Sequence, residues 1–171
     1  MTISKLSSDE YNPYYQPYID KVGGGDIHKT LKNNREVVTS FFKGISNDRL
    51  SFRYAEDKWT IKEILLHVID TERVFAYRAL CIARQDKTKL PGFDQDAYVA
   101  YCHANERTLE SLLSEYNNVR AATVSLFESF DDKALTQIGI ASESALSVRA
   151  VAFIIVGHEN HHLQIIKARY L

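Results

Sequence analysis

Apolar residues recur along this chain at intervals of three and four, in four long stretches that hold almost no glycine or proline. Ile27, Leu31, Val38, Phe41 and Ile45 form the first stripe, with Asn34 in the same register and Asp26 ahead of it as an N-cap, which predicts a helix over about 26–46. The second stripe has the sharpest beginning. Thr60 and Glu63 make a capping box, Trp59 is the apolar residue just before it, and Ile61, Ile64, Leu65, Val68, Phe75 and Ile82 run down one side to about residue 84. Leu109, Leu112, Leu113, Tyr116, Val119, Leu126 and Phe127 predict a third helix over about 104–130. Ser147 caps a fourth, over about 147–170.

The segments between these stripes have their own character. Residues 1–25, with a tyrosine-rich run closed by Gly23-Gly24-Gly25, are too aromatic for a free tail and are expected to pack as an arm over the domain. Residues 85–103 contain Pro91-Gly92 and several acids and read as a long loop with one short turn. A further loop contains Gly139, and no run alternates long enough to predict a strand. Helices of about 20–27 residues span about 30–40 Å. Four of matched length with apolar stripes make an all-α four-helix bundle. The long connections 47–59 and 85–103 leave the order of neighbours open.

Composition narrows the function. A length of 171 residues fits one domain, large enough for a full core without disulfides. Lys+Arg of 21 against Asp+Glu of 22 gives a net charge of −1, so no basic excess exists to neutralise nucleic-acid phosphates. The longest apolar runs, such as 151–156, fall far short of the ~20 residues of a membrane span. Met1-Thr2-Ile3-Ser4-Lys5 leads into polar sequence with no secretory h-region, and a cytoplasmic location is expected. Cys81 and Cys102 stand in separate segments without CxxC spacing, which removes a disulfide framework and a thiolate metal site.

Histidine carries the chemistry. Three of six fall in Gly157-His158-Glu159-Asn160-His161-His162. His158 and His162 lie four apart, hence about 40° from each other around a helix, and two imidazoles so placed reach one divalent ion such as zinc or nickel. They continue the inward stripe Val151, Ile155, His158, His162, Ile165, where an unpaired imidazole is costly. His67, on the edge of the buried face of the second helix, offers a third ligand. A lone buried histidine is usually a hydrogen-bonded core residue, but an inward pair facing a third histidine favours metal. His161 is rotated about 100° from His162 and reads as packing, as do His28 and His103.

Two rival motifs are weaker. His158-Glu159-x-x-His162 matches HExxH, but only nine residues follow His162 and none is His, Asp or Glu to serve as a downstream ligand. Glu159-x-x-His162 is also half of a di-iron site, yet the second Glu-x-x-His is missing. Three histidines leave a coordination position open, the mark of a catalytic metal that activates a bound water or thiol. Asp70, Thr71 and Glu159 are candidate groups around the ligands. Arg78, about 20° off the His67 stripe and about 16 Å up the axis, is a candidate for an anionic substrate in the cavity.

Lys58-Trp59-Thr60-Ile61-Lys62-Glu63-Ile64-Leu65-Leu66-His67-Val68 resembles the second-helix signature of the DinB-like metal-dependent bundle proteins. Gly157-His158-Glu159-x-x-His162-x-Gln164-Ile165 resembles their fourth-helix signature, and Pro91-Gly92-Phe93-Asp94-Gln95-Asp96 resembles a loop of the family's larger branch. Together these motifs cover about residues 10–171. The resemblance implies a divalent ion, zinc or nickel, on His67, His158 and His162. It also implies thiol chemistry: characterised relatives add a low-molecular-weight thiol such as bacillithiol to an electrophile, or isomerise a substrate with mycothiol. Some members look like homodimers, and the DNA-damage origin of the name concerns regulation, not DNA contact. The leading expectation is a metal-dependent thiol S-transferase acting on a small molecule, with Glu159 and Asp70 in catalytic support and Arg78 on the substrate. The alternatives are a non-catalytic metal-binding bundle and a metal-dependent hydrolase using Glu159.

Overall fold

The computed structural model describes residues 6–171; residues 1–5 of the expected arm, with the Met1–Lys5 stretch read for a signal, lie outside that range. Four long helices form the bundle: α2 (Ile27–Lys43), α3 (Ile61–Ala83), α5 (Leu109–Glu128) and α7 (Val148–Arg169). Each begins where a side chain can satisfy its free N–H groups: Asp26, Thr60, Thr108 and Ser147 all accept from the backbone three residues on. The Thr60–Glu63 capping box forms reciprocally, which fixes the register of α3 and hence the direction of His67.

The neighbour order is not that of a simple up-down bundle. α3 packs against α5 and α7, and α2 packs against the same two, so the consecutive long helices α2 and α3 sit diagonally across the bundle. The connection 44–60 is long enough to make that crossing.

Several boundaries and faces differ from expectation. The third helix starts at Leu109, not near 104; a 3-10 turn over Ala104–Glu106 precedes it. Phe42, not Phe41, lies in the α2 seam, because a four-residue step from Val38 keeps the stripe inward while Phe41 turns half out under Lys167. The expected loop around Gly139 is a β-hairpin, β1 (Ile138–Ala141) paired antiparallel with β2 (Ser144–Ser147), each strand too short to alternate visibly. The 85–103 segment holds a helix, α4 (Gln95–Ala100), and Leu90 bonds to Ile140 and Ser142 of the hairpin. Gly139 lets that hairpin lie on α3, since a Cβ there would stand 2.7 Å from Ile82 Cγ1.

The N-terminal arm forms a 3-10 turn (Pro13–Tyr15) and α1 (Gln16–Ile19), which packs across α7. Gly157 permits this crossing: a Cβ there would stand 2.0 Å from the Tyr18 carbonyl oxygen. α6 (Asp132–Leu135) links α5 to the hairpin. Among the described residues no helix is long and apolar enough to cross a membrane.

Two apolar clusters fill the bundle. One joins the arm, the end of α3 and the start of α7; the other joins the start of α3, the start of α5 and the end of α7. Between them lies a layer of buried polar side chains that includes His67, Thr71 and Glu72 from α3, Arg120 and Thr123 from α5, and His158 and Glu159 from α7. A polar layer in an apolar core must be fully satisfied or must serve a ligand.

Candidate metal centre

His67 projects from the second turn of α3, and His158 and His162 project from successive turns of α7 toward it. The Nε2 of His158 lies 3.0 Å from Nε2 of His67 and 3.1 Å from Nε2 of His162. One ring nitrogen from each residue falls within 4.8 Å of the other two. Ligand nitrogens around a tetrahedral ion sit about 3.3 Å apart, given metal–nitrogen bonds of about 2.0–2.1 Å, so the spacing fits an ion on all three.

The surroundings keep the rings in the form that ligates. Burial pushes the His67 pKa down to about 4. Burial, and then the other imidazoles, holds His158 well below the usual histidine range, and burial does the same for His162. Neutral imidazole is what a metal requires. The rings are held by aromatic neighbours: Trp59 lies 4.7 Å from His67 by centroids, and Tyr18 of the arm meets His158 edge-on at 5.5 Å. His161 packs edge-on against both Tyr18 and the His162 ring but is not one of the three converging histidines, and neither His28 nor His103 joins them; His103 pairs with Glu106 on the surface.

The two expected supporting carboxylates have partners of their own. Glu159 is one residue from His158 and so about 100° around the helix, which aims it at α5. There Arg120 donates to both its oxygens, at 3.0 and 2.6 Å, Tyr116 donates its hydroxyl at 3.0 Å, and Asn34 of α2 donates at 2.8 Å. Asp70 accepts from Arg73 at 3.3 Å, with burial raising its pKa and Arg73 opposing. Both Glu159 oxygens are engaged on the α5 side, whereas Asp70 has the one longer contact to Arg73.

Arg78 does reach a cavity. A chamber of about 360 Å³ is bordered by His158, Thr71, Phe75 and Arg78 from the long helices, by Tyr15 and Tyr18 of the arm, and by Phe93 and Ser142 from the loop and hairpin. A second chamber of about 270 Å³ adjoins His161 and His162 from the other side, walled by Trp59, Tyr54, Tyr170 and Asp96. α4 stands between them, with Gln95 in the first and Asp96 in the second.

The sequence reading missed Arg120, Glu72 and Ser142. Arg120 follows Tyr116 by four and precedes Phe127 by seven, and Glu72 sits between Val68 and Phe75 in the same way, so the spacing that placed the apolar residues also placed these two inward. Ser142 carried no such signal, because the hairpin itself was not expected.

The chain has counterparts among known proteins. The family model described as the DinB superfamily matches residues 30–166. A protein of Oceanobacillus iheyensis named "Putative metal-dependent hydrolase" is 28% identical over 157 residues, covering 86% of this chain and 87% of its own. The solved structure of YfiT from Bacillus subtilis, described as "a probable metal-dependent hydrolase with an unusual four-helix bundle topology", superposes with a TM-score of 0.71 at 12% identity, over 96% of this chain and 90% of that one. At that identity the likeness concerns the fold alone. With the family model spanning most of the bundle and both histidine helices, the chain belongs to the DinB superfamily.

Proposed function

We propose that the protein is a metal-dependent thiol S-transferase acting on small molecules. The observation that carries this reading is that two chambers converge on one triad, the first at His158 and the second at His162. Two openings onto one centre would give a thiol and an electrophile separate approaches to it.

His67, His158 and His162 would hold the ion, zinc or nickel, since both accept imidazole nitrogen. Bound there, a divalent ion supplies Lewis acidity, which lowers the pKa of a thiol and favours the thiolate near neutral pH. The protein's own groups do the remainder. Burial keeps the imidazoles unprotonated, and Trp59 and Tyr18 pack against the His67 and His158 rings and fix their orientation. Glu159 positions its neighbour His158 by bracing α7 against Arg120. Arg78 lies in the first chamber to meet the electrophile. A reducing cytoplasm, where thiols are abundant, and a homodimeric assembly belong to the same proposal, and the net charge gives no reason to invoke nucleic acid.

The second reading, a metal-dependent hydrolase, is favoured by the name of the Oceanobacillus relative. The engagement of both Glu159 oxygens speaks against that residue as its general base. The test is thiol consumption with several low-molecular-weight thiols against a chlorinated aromatic and a maleyl compound, with and without metal. The proposal expects consumption only by the loaded protein. If no thiol reacts faster than the metal-free control, the transferase reading is wrong, and metal-dependent ester or amide hydrolysis in its place establishes the second reading.

A further inference from the structure

The larger chamber contains a cation that the protein does not neutralise. Arg78 is only 2% exposed. Its Nη2 donates to the Pro91 carbonyl at 2.7 Å and to Ser142 Oγ at 3.0 Å, the Tyr15 hydroxyl also faces it, all three uncharged, and its guanidinium lies 4.9 Å from the Phe75 ring centroid and 5.9 Å from that of Phe93. Among the described residues no carboxylate pairs with it. A buried charge without a counter-charge is costly, and proteins retain such groups where a ligand supplies the missing partner.

Two further observations point into the same space. Thr71 Oγ1 is, among the described residues, the one buried side-chain polar atom without a hydrogen-bond partner, and Thr71 lines this chamber. Ser142, which holds Arg78, has φ of 50° and Glu143 has φ of 62°, the left-handed pair of a tight hairpin turn that glycine or asparagine ordinarily fills. The turn therefore carries strain at the residue that positions the guanidinium.

We propose that this chamber binds a small organic carboxylate with a flat, conjugated or aromatic body. The carboxylate meets Arg78, the flat body lies among Tyr15, Tyr18, Phe75 and Phe93, and Thr71 Oγ1 bonds a polar substituent nearer His158. A monoanion matches the charge. The chamber offers one guanidinium and no other arginine or lysine, so a phosphate dianion would bring surplus negative charge into a buried space. Aromatic walls favour a planar body by stacking. The inference rests on the transferase reading only in taking this ligand as the electrophilic substrate; the binding itself does not depend on it.

Calorimetric titration of the zinc-loaded protein tests it, using cinnamate, its uncharged amide, phenylphosphonate and the non-planar cyclohexanecarboxylate. Cinnamate should bind one to one and at least about tenfold more tightly than each of the other three, since a charge-assisted contact is lost, altered or unaccompanied by stacking. Arg78→Gln should weaken cinnamate by about tenfold or more and erase the preference over the amide. Arg78→Lys keeps the charge without the planar fork and should fall between. If Arg78→Gln fails to fold by circular dichroism, Arg78→Lys and Ser142→Ala serve instead, each expected to weaken cinnamate several-fold. Equal affinity for acid and amide overturns the proposal. So does binding abolished by His162→Ala but untouched by Arg78→Gln, which would put the carboxylate on the metal. Cinnamate binding without thiol transfer leaves this site intact and sinks only the transferase reading, whereas thiol transfer without cinnamate selectivity does the reverse.

Discussion

Arg120 and Arg78 lie at similar depth in one bundle and are surrounded in opposite ways. Arg120, 0% exposed, is bracketed by Glu72 of α3 and Glu159 of α7 and also donates to the Leu31 carbonyl of α2, so all four long helices meet at one guanidinium. Burial alone would lower its pKa, but the charges of Glu159 and Glu72 reverse the sign and raise it. Arg78 has neutral partners, two aromatic faces and an open chamber. The first arrangement is closed and leaves nothing for a ligand to do. The second is complete only when an anion arrives. Buried charge by itself therefore says little about function; what matters is whether the protein supplies the counter-charge.

Breaking the closed site should have the largest effect. Arg120→Met strands two buried carboxylates and should cost about 3–5 kcal/mol of unfolding free energy. Urea denaturation measures it, and a loss below about 1 kcal/mol would mean the two glutamates find other partners. Next comes the arm that walls the open site. Gly157→Ala forces the Tyr18 backbone away and should cost about 1–3 kcal/mol, with the arm tyrosines more exposed to solvent in near-ultraviolet spectra. Unchanged spectra would show that α7 yields instead of the arm.

The open site itself should be tolerant. Arg78→Met removes hydrogen bonds to neutral partners but also an uncompensated charge, so stability should change by no more than about 1 kcal/mol. A loss as large as that of Arg120→Met would make Arg78 a structural brace and erase the contrast.

The smallest effect concerns acid. Glu10 accepts from Ser147 Oγ at 2.7 Å and from Arg149, tying the arm to the start of α7. Burial would raise its pKa, but these bonds outweigh burial and lower it from 4.5. A folded value below the unfolded one means that its contribution is present above pH 4.5 and disappears as pH falls through the lowered value. Hydrogen-exchange protection factors in residues 11–20, taken relative to the intrinsic rate at each pH, should therefore fall below that pH, and Glu10→Gln should show lower protection already at neutral pH. An arm whose exchange is the same in both proteins is held by its tyrosines alone.

The same contrast explains what could be read from the sequence. The four helices, three of their caps and the inward direction of His67, His158 and His162 were legible because they rest on local signals: a capping box, a three-and-four stripe, an i, i+4 pair. Arg120 and Glu72 obeyed the same spacing yet were overlooked, because charged residues in an apolar stripe look like exceptions until a partner on another helix is known. Adjacency in sequence brought Glu159 and Asp70 forward as well, but one residue along a helix is 100° of rotation, so the Arg120 partner of Glu159 could not be read from it. The hairpin was hidden by strands of four residues and a turn of Ser142 and Glu143 without glycine. The diagonal placement of α2 and α3 depends on how a long connection crosses the bundle, which no local pattern records.

The central claim is that His67, His158 and His162 hold one divalent ion. Elemental analysis after chelation and reloading with zinc tests it most directly. The account predicts one ion per chain in the unaltered protein and in His161→Ala, a loss of affinity by orders of magnitude in His162→Ala, and none bound when all three histidines are alanine. One ion per chain retained by that triple variant, or an ion stripped by His161→Ala alone, would contradict it.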